Sequence, residues 1–458
     1  MEYVHRHYQP HETIAAVATA PGEGGIAVVR ISGDNALGIV EKIFSGPIRT
    51  FQSHTAHFGK ILDTQGKLVD EVLVLVMLAP RSYTGEDTVE IHCHGGMLIT
   101  RHVLETVLQA GARAAQPGEF TFKAYMNGKI DLAQAEAVQE LIAARNDLAL
   151  STAEQQLQGR LSKEIKNFQT ELADVAATLE ALVDFPEEDL EFAKKEEIAE
   201  LLFNTRARMQ QLSATFHDGK ILSHGISLCL IGSPNVGKSS LMNALLGKER
   251  AIVTEVPGTT RDLLEEELRI GGLHFHLIDT AGIRKTDELV EQEGIRRSKQ
   301  ALASADLILL TMDASRELSE EDRYLAETAP KEKTILIWNK TDLRQPPQYN
   351  LNISTSVSIS AKTGFGLEAL CTAVHKMVWH KGPPSKEEVY ITSLRHKLAL
   401  DHAIEACDAV ISGLNNNISP EFVASDMRKI LLELGTIIGT NVTEDILSAI
   451  FSKFCIGK

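Results

Sequence analysis

Gly232-Ser-Pro-Asn-Val-Gly-Lys-Ser239 constrains this chain more than any other segment. It fits the pattern G-x-x-x-x-G-K-[ST]. Small residues let backbone N–H groups wrap a phosphate, the lysine brings positive charge to the β and γ phosphates, and the last hydroxyl can ligate Mg²⁺. The pattern has this meaning only between a strand and a helix. Here the apolar run Ile226–Ile231 precedes it and a helical stretch, Ser240 to Leu246, comes after it. Asn235, Val236, Gly237, Lys238, Ser239 and Ser240 are therefore the expected phosphate contacts. Further apolar runs, Phe275–Ile278, Leu307–Met312, Thr334–Trp338 and Val357–Ile359, are each followed by turn residues and then a helical pattern. That alternation predicts a doubly wound α/β module with a mainly parallel sheet over about 225–380.

The turns at the ends of those runs identify the nucleotide base. Asp279-Thr280-Ala281-Gly282 ends one strand, so Asp279 is placed to hold the Mg²⁺ shell and the Gly282 N–H to meet a γ-phosphate. Asn339-Lys340-Thr-Asp342 ends another. The Asp342 carboxylate can accept from guanine N1–H and the 2-amino group, and adenine has neither donor. Ser360-Ala361-Lys362 comes after the next run and can offer a backbone N–H to guanine O6. The ordered set predicts a GTP-binding module. Between the phosphate loop and Asp279 lies Gly258-Thr259-Thr260-Arg-Asp262, with Thr260 the expected switch threonine on Mg²⁺ and the γ-phosphate. Ras-like enzymes place a water-orienting glutamine just after the switch glycine. Here that position is Ile283, so hydrolysis needs another group; Glu288, Glu291 and Glu293 lie downstream, and spacing does not choose among them.

The flanks are of a different texture. The chain has 458 residues, enough for about three domains. Residues 12 to about 117 read as mixed α and β, with strands at Ile26–Ile31 and Val72–Leu78, a helix from Thr100 to Gln109, and a break at Gln116-Pro117-Gly118. From about 119 to 217, Leu157, Leu161, Ile165, Phe168, Leu172, Val175, Leu179 and Leu182 form the stripe of a long amphipathic helix, read as core packing. Lys381-Gly-Pro-Pro-Ser385 is a linker, and helices return at Leu398 to Leu414, Phe422 to about Ile438 and Thr443 to Phe454. The architecture expected is a multidomain chain: an α+β segment at 1–118, a discontinuous helical domain at 119–217 and 383–458, and an α/β module at 218–382 inserted into it.

Composition narrows the setting. Lys plus Arg is 46 and Asp plus Glu is 62, so the net charge of −16 argues against a generic nucleic-acid coat but leaves room for a local basic patch. Cys93, Cys229, Cys371, Cys407 and Cys455 show no CxxC pairing, which argues against a disulfide framework or zinc ribbon and fits a reducing cytosol. No secretory signal and no apolar run of membrane length is read, so a cytoplasmic location away from membranes is expected. Gly22-x-Gly24-x-x-Ala27 mimics a dinucleotide fingerprint but precedes a strand instead of following one, and is rejected. His92 and His94 share a strand face, without an obvious third metal ligand, and are read as structural. The tail Cys455-Ile-Gly-Lys458 has the outline of a prenylation box, but Gly457 and Lys458 argue against one.

The residues together resemble the MnmE (TrmE) family of tRNA-modification GTPases, from about Glu12 to Lys458. The marks are AVATAPGEGGIAVVRISG (16–33), SYTGEDTVEIHCHGG (82–96), PGEFTFKAYMNGKIDLAQAEAV (117–138), DFPEED (184–189), GSPNVGKSSLMNALL (232–246), PGTTRD (257–262), DTAGIR (279–284) and the terminal CIGK. The TAPGEGG, PGEF and CIGK elements are not shared with general GTPases. The ribosome-assembly GTPases of the Era and EngA groups share the nucleotide module but lack the N-terminal segment and the tail. A folate-dependent one-carbon transferase with a regulatory G domain is a third possibility.

The resemblance implies a folate-binding-like N-terminal domain that forms a homodimer and binds 5-formyl-tetrahydrofolate. Arg30, Glu90, Lys129 and Lys458 fall where the family contacts folate. It places a K⁺ ion at Asn235 and at the loop carrying Thr254, Val256 and Thr259, and it makes Glu291 the catalytic glutamate, beside Lys238 and Thr260. It gives Cys455 a part in modification, and it implies an FAD-dependent partner, MnmG (GidA), with tRNA wobble uridine as the target. The loop carries Val236 where many relatives have alanine, a position that contributes backbone.

Overall fold

The computed structural model describes residues 11–184, 195–248, 267–278 and 302–458, except 303, 348, 350, 380, 381, 383, 386, 387 and 417. The described residues divide into two compact units, one within Met1–Ile142, Glu154–Gln211 and Arg395–Lys458, the other within Ala143–Ala153 and Leu212–Leu394.

The first unit opens with a sheet built on period-two patterning. Its strands are β1 (Ile14–Val17), β2 (Gly24–Ser32), β3 (Thr55–Leu62), β4 (Leu68–Met77), β5 (Thr88–Gly95) and β6 (Arg113–Ala114), in the order β3-β4-β5-β2-β1-β6. Neighbours are antiparallel except β1 and β6. Val29 and Ile31 of β2, Val72, Val74 and Val76 of β4, and Val89 and Ile91 of β5 are buried on one face. That face packs on the helices Ala36–Glu41 and Met97–Gln109 through Ile39, Val40, Val103 and Val107. The opposite face leaves Ile26, Phe58 and Leu73 exposed.

The helical part of this unit is organised by the predicted stripe, with one difference. Leu161, Ile165, Phe168, Leu172, Val175 and Leu179 are buried along the helix Arg160–Asp184. Leu157 instead ends the preceding helix, Asp147–Leu157, because Gly159 turns the chain at φ +80°, which a side chain would resist. The Leu182 side chain lies outside the described residues. The stripe packs along the helix Pro420–Ile438, which carries proline in its first turn and ends on Gly439 at φ +90°. Helices Leu394–Asn415 and Glu444–Phe451 complete the C-terminal part. Glu136 of the helix Leu132–Ala143 holds this part together: its Oε1 accepts from Arg395 Nε at 3.1 Å, and its Oε2 lies 2.6 Å from His396 Nε2. Burial pushes the Glu136 carboxyl up, but the charges of His396 and Arg395 outweigh it and hold it at about 2.

The second unit holds the α/β module. Its strands are β7 (Ile226–Ile231), β8 (Glu267–Ile270), β9 (Leu273–Ile278), β10 (Leu307–Asp313), β11 (Thr334–Asn339) and β12 (Thr355–Ser358), ordered β12-β11-β10-β7-β9-β8. All pairs are parallel except β8–β9. β10 and β11 are buried throughout, so their continuous apolar runs are those of strands covered on both faces. The sequence reading omitted β8, which pairs with β9 through the Gly271-Gly272 turn at φ +60° and +80°. β7 sits between β9 and β10, where the sheet order reverses, and in open α/β sheets ligands bind beyond the carboxyl ends of strands at that point. Among the described residues no helix is long and apolar enough to cross a membrane.

Candidate functional site

The segment after β7 has the backbone that a phosphate loop requires. Gly232 adopts φ +152°, and a Cβ there would lie 2.2 Å from Thr311 O of β10. Asn235 takes φ +64°, a left-handed conformation that asparagine tolerates better than most residues. Gly237 takes φ +97°, and a Cβ would lie 2.3 Å from Asn339 Nδ2. Only glycine lets the loop lie this close to the end of β11. The helix Lys238–Lys248 then begins, with Val236 buried and Ser239 and Ser240 exposed. Lys238 Nζ donates to Gly232 O at 2.6 Å and to Ser233 O at 2.9 Å, so the ammonium is folded back over the loop's own carbonyls. Burial pushes the Lys238 pKa down, and nearby Glu321 and Asp322 oppose that shift.

The ends of β10, β11 and β12 converge on the same loop. Asn339 Nδ2 donates to Val236 O at 2.9 Å, and its Oδ1 accepts from Ala361 N at 3.0 Å. One buried side chain thus ties the phosphate loop to the Ser360–Lys362 segment. Lys340, at φ +63°, donates to Asn235 O at 2.8 Å and to Asp313 Oδ2 at 2.6 Å. Burial pushes the Asp313 carboxyl up, but Lys340 and Ser315 outweigh it and the net shift is downward. Ser360 is buried and anchored through its N–H to Phe365 O at 3.0 Å. Asp342 and Lys362 are exposed beside these anchors, so the carboxylate expected to read the base is free of the packing that fixes its neighbours. Thr254, Val256, Thr259, Thr260, Asp279, Thr280, Ala281, Gly282, Ile283, Glu288, Glu291 and Glu293 lie outside the described residues.

In the first unit, Arg30 and Glu90 are direct cross-strand partners on β2 and β5. Arg30 Nε donates to Glu90 Oε1 at 2.8 Å, and Nη1 reaches Gly457 O of the C-terminal tail at 3.4 Å. The guanidinium lies 5.9 Å from the Tyr83 ring centre and 5.7 Å from that of Phe120. The tail is seated by its backbone: Lys458 O accepts from Phe120 N at 3.2 Å, and Cys455 O accepts from Gly118 N at 3.4 Å. Gly457, at φ +95°, would drive a Cβ to 2.2 Å from Val17 O. Cys455 is a free, exposed thiol on this seated tail. Lys129 is exposed and donates to Pro80 O at 2.9 Å.

His92 and His94 turn to separate carboxylates. His92 Nε2 lies 3.3 Å from Glu90 Oε2, and His94 Nδ1 lies 2.8 Å from Asp70 Oδ1. Among the described residues no group of three or more His, Cys, Asp or Glu side chains is arranged to hold a metal ion. Residues that the sequence reading missed are Asn339 as a latch, Asp313, Asp322, and Lys123. Lys123 is fully buried and donates to Glu86 Oε2 and Glu12 O, each at 2.7 Å.

Comparison with known proteins covers the whole chain. A family model described as the MnmE helical domain matches residues 132–455, and one described as the GTP-binding protein TrmE N-terminus matches 13–129. A tRNA modification GTPase MnmE from Protochlamydia amoebophila is 62% identical over 458 residues, all of both chains. One from Syntrophotalea carbinolica is 45% identical over 453 residues, 98% of this chain and 99% of that one. Among solved structures, the G domain of the T. maritima FeoB iron transporter is 29% identical over 34% of this chain and 99% of its own, with a TM-score of 0.25. With its glycine-built phosphate loop and tail-seated N-terminal sheet, and matched from end to end by the curated MnmE relatives, this chain belongs to the MnmE (TrmE) family of tRNA-modification GTPases.

Proposed function

We propose that this chain hydrolyses GTP to drive modification of carbon 5 of the wobble uridine in certain tRNAs, in the cytoplasm, as a homodimer working with an FAD-dependent MnmG (GidA) partner. The observation that carries the reading is the seating of the CIGK tail beside Arg30 and Glu90, in a chain that also holds a guanine-nucleotide loop. The CIGK element is not shared with general GTPases. The segments 1–118, 119–217, 218–382 and 383–458 would serve as folate-binding and dimerisation domain, helical half, G domain and second helical half. The exposed Ile26, Phe58 and Leu73 on the open sheet face support a partner surface there.

The donor set around Arg30 fits a flat, hydrogen-bonding heterocycle. It offers a carboxylate acceptor, guanidinium donors, and the rings of Tyr83 and Phe120. Glu90 would take the donor edge of a tetrahydrofolate such as 5-formyl-tetrahydrofolate, Arg30 would orient it, and Lys129 and Lys458 would meet its acidic tail. The folate supplies a one-carbon unit when bound. In the G domain, Lys238 would turn from the loop carbonyls to the β and γ phosphates, and Ser239 with Thr260 would ligate Mg²⁺. Asn235, Thr254, Val256 and Thr259 would hold K⁺, which offsets charge between phosphates. Glu291 would orient the attacking water, and Asp342 would select guanine.

The test is nucleoside analysis of tRNA from cells lacking this chain. The reading expects loss of an aminomethyl-type group at C5 of the wobble uridine, restored by the wild-type gene. Unaltered tRNA with a ribosome-assembly defect would overturn it in favour of an Era- or EngA-like role.

A further inference from the structure

We propose that Asp322 is a positioning residue for the phosphate loop, acting through the Ser233 hydroxyl. This rests on the loop's reading as the nucleotide site. Ser233 is the second residue of the loop and 3% exposed, and its Oγ donates to Asp322 Oδ1 at 2.6 Å. Asp322 is itself 1% exposed. It stands in the first turn of the helix Glu320–Thr328, where its Oδ2 accepts from Ser319 N at 2.9 Å and Ser319 Oγ at 2.8 Å, completing a capping box. Arg316 Nη1 lies 2.9 Å from the same oxygen. Capping alone requires no burial, since a capping carboxylate works at the surface. The burial of this one comes from its place under the loop. An ionised group held there is tolerated only with its hydrogen bonds made, and Ser233 of the loop supplies one of them.

The loop is also gripped at a second point, Asn235. Lys340 holds Asn235 O and Asp313, and Asp313 Oδ1 accepts from Ser315 N at 2.9 Å and Ser315 Oγ at 2.6 Å. Ser315 adjoins Arg316, which returns to Asp322. Loop residues 233 and 235 are therefore both tied to the segment 313–322. The same Ser233 whose hydroxyl meets Asp322 offers its carbonyl to Lys238 at 2.9 Å. The loop lysine thus rests in part on a residue whose side chain Asp322 holds. A loop held in shape before binding has less ordering cost to meet when phosphate arrives.

The test measures GDP affinity by calorimetry on the full chain, together with thermal melting. A hydrogen bond to a charged group implies about 10-fold weaker GDP binding for Ser233→Ala. Ser233→Thr, which keeps the hydroxyl, should stay within about 3-fold of wild type. Asp322→Ala should weaken binding likewise, and adding Ser233→Ala to it should cost little more, because both remove one contact. Thr328→Ala, at the far end of the same helix, where the hydroxyl donates to Tyr324 O, should leave GDP affinity in place. Unchanged affinity in Ser233→Ala, or losses that multiply to about 100-fold in the double variant, would overturn the proposal. If Asp322→Ala does not fold, the Ser233→Ala and Ser233→Thr pair decides the matter. Absence of GDP binding by the wild-type chain would instead overturn the nucleotide reading on which this one stands.

Discussion

Asn339→Ala is the most informative single change in the G domain. The side chain is 2% exposed and makes two hydrogen bonds, to Val236 O at 2.9 Å and from Ala361 N at 3.0 Å. Each neutral bond of this kind contributes about 1 kcal/mol net, and a buried partner left unsatisfied costs ~1–3 kcal/mol. Removing both therefore costs roughly 2–4 kcal/mol in the ordered loop. If the free variant relaxes to avoid that cost, nucleotide must restore the order on binding. At about 1.4 kcal/mol per factor of ten, GDP affinity should fall by about 30-fold or more. The assay is calorimetric titration of GDP, with circular dichroism to show that the sheet is intact. An affinity within about 3-fold of wild type in a folded variant would refute the latch and the arithmetic built on it.

Other perturbations reach the ion, the tail and the helical part. GTP hydrolysis should be much faster in K⁺ than in Na⁺, and equal rates would remove the ion from the proposed site. Deleting residues 455–458 should spare GTP hydrolysis and abolish tRNA modification; retained modification would remove the tail from the active centre. Glu136→Gln should destabilise the first unit by about 3 kcal/mol at pH 7, by leaving Arg395 and His396 without their carboxylate. Because the folded carboxyl is depressed from 4.5 to about 2, its contribution is complete above 4.5 and is lost as pH falls toward 2. The stability gap between variant and wild type should close across that window, and a gap independent of pH would contradict the ion-pair assignment.

The features legible in the sequence were mostly local. β7, the loop and its helix form one continuous stretch in which glycine, lysine and serine positions carry their own geometry. The stripe from Leu161 to Leu179 is a period that burial enforces. Legibility failed where partners are distant in sequence. β3 carries no sustained alternation in its middle, His57-Phe58-Gly59-Lys60, and is secured by pairing with β4. Ser319 and Asp322 carry a capping spacing, yet nothing in it indicates that the carboxylate meets Ser233, 89 residues earlier. Asn339 was legible as part of a guanine motif, but its service as a latch between Val236 and Ala361 exists only in three dimensions. Lys123 reads as a surface cation, and its burial depends on Glu86 arriving from another element.

The central claim is that the loop Gly232–Ser239 grips a guanine nucleotide. Parallel calorimetric titrations of the full chain with GDP and ADP in Mg²⁺ and K⁺ test it most directly. The account predicts saturable GDP binding that is lost in Lys238→Ala, with ADP bound far more weakly or not at all. Equal affinity for the two nucleotides, or GDP binding that survives loss of the Lys238 ammonium, would contradict it.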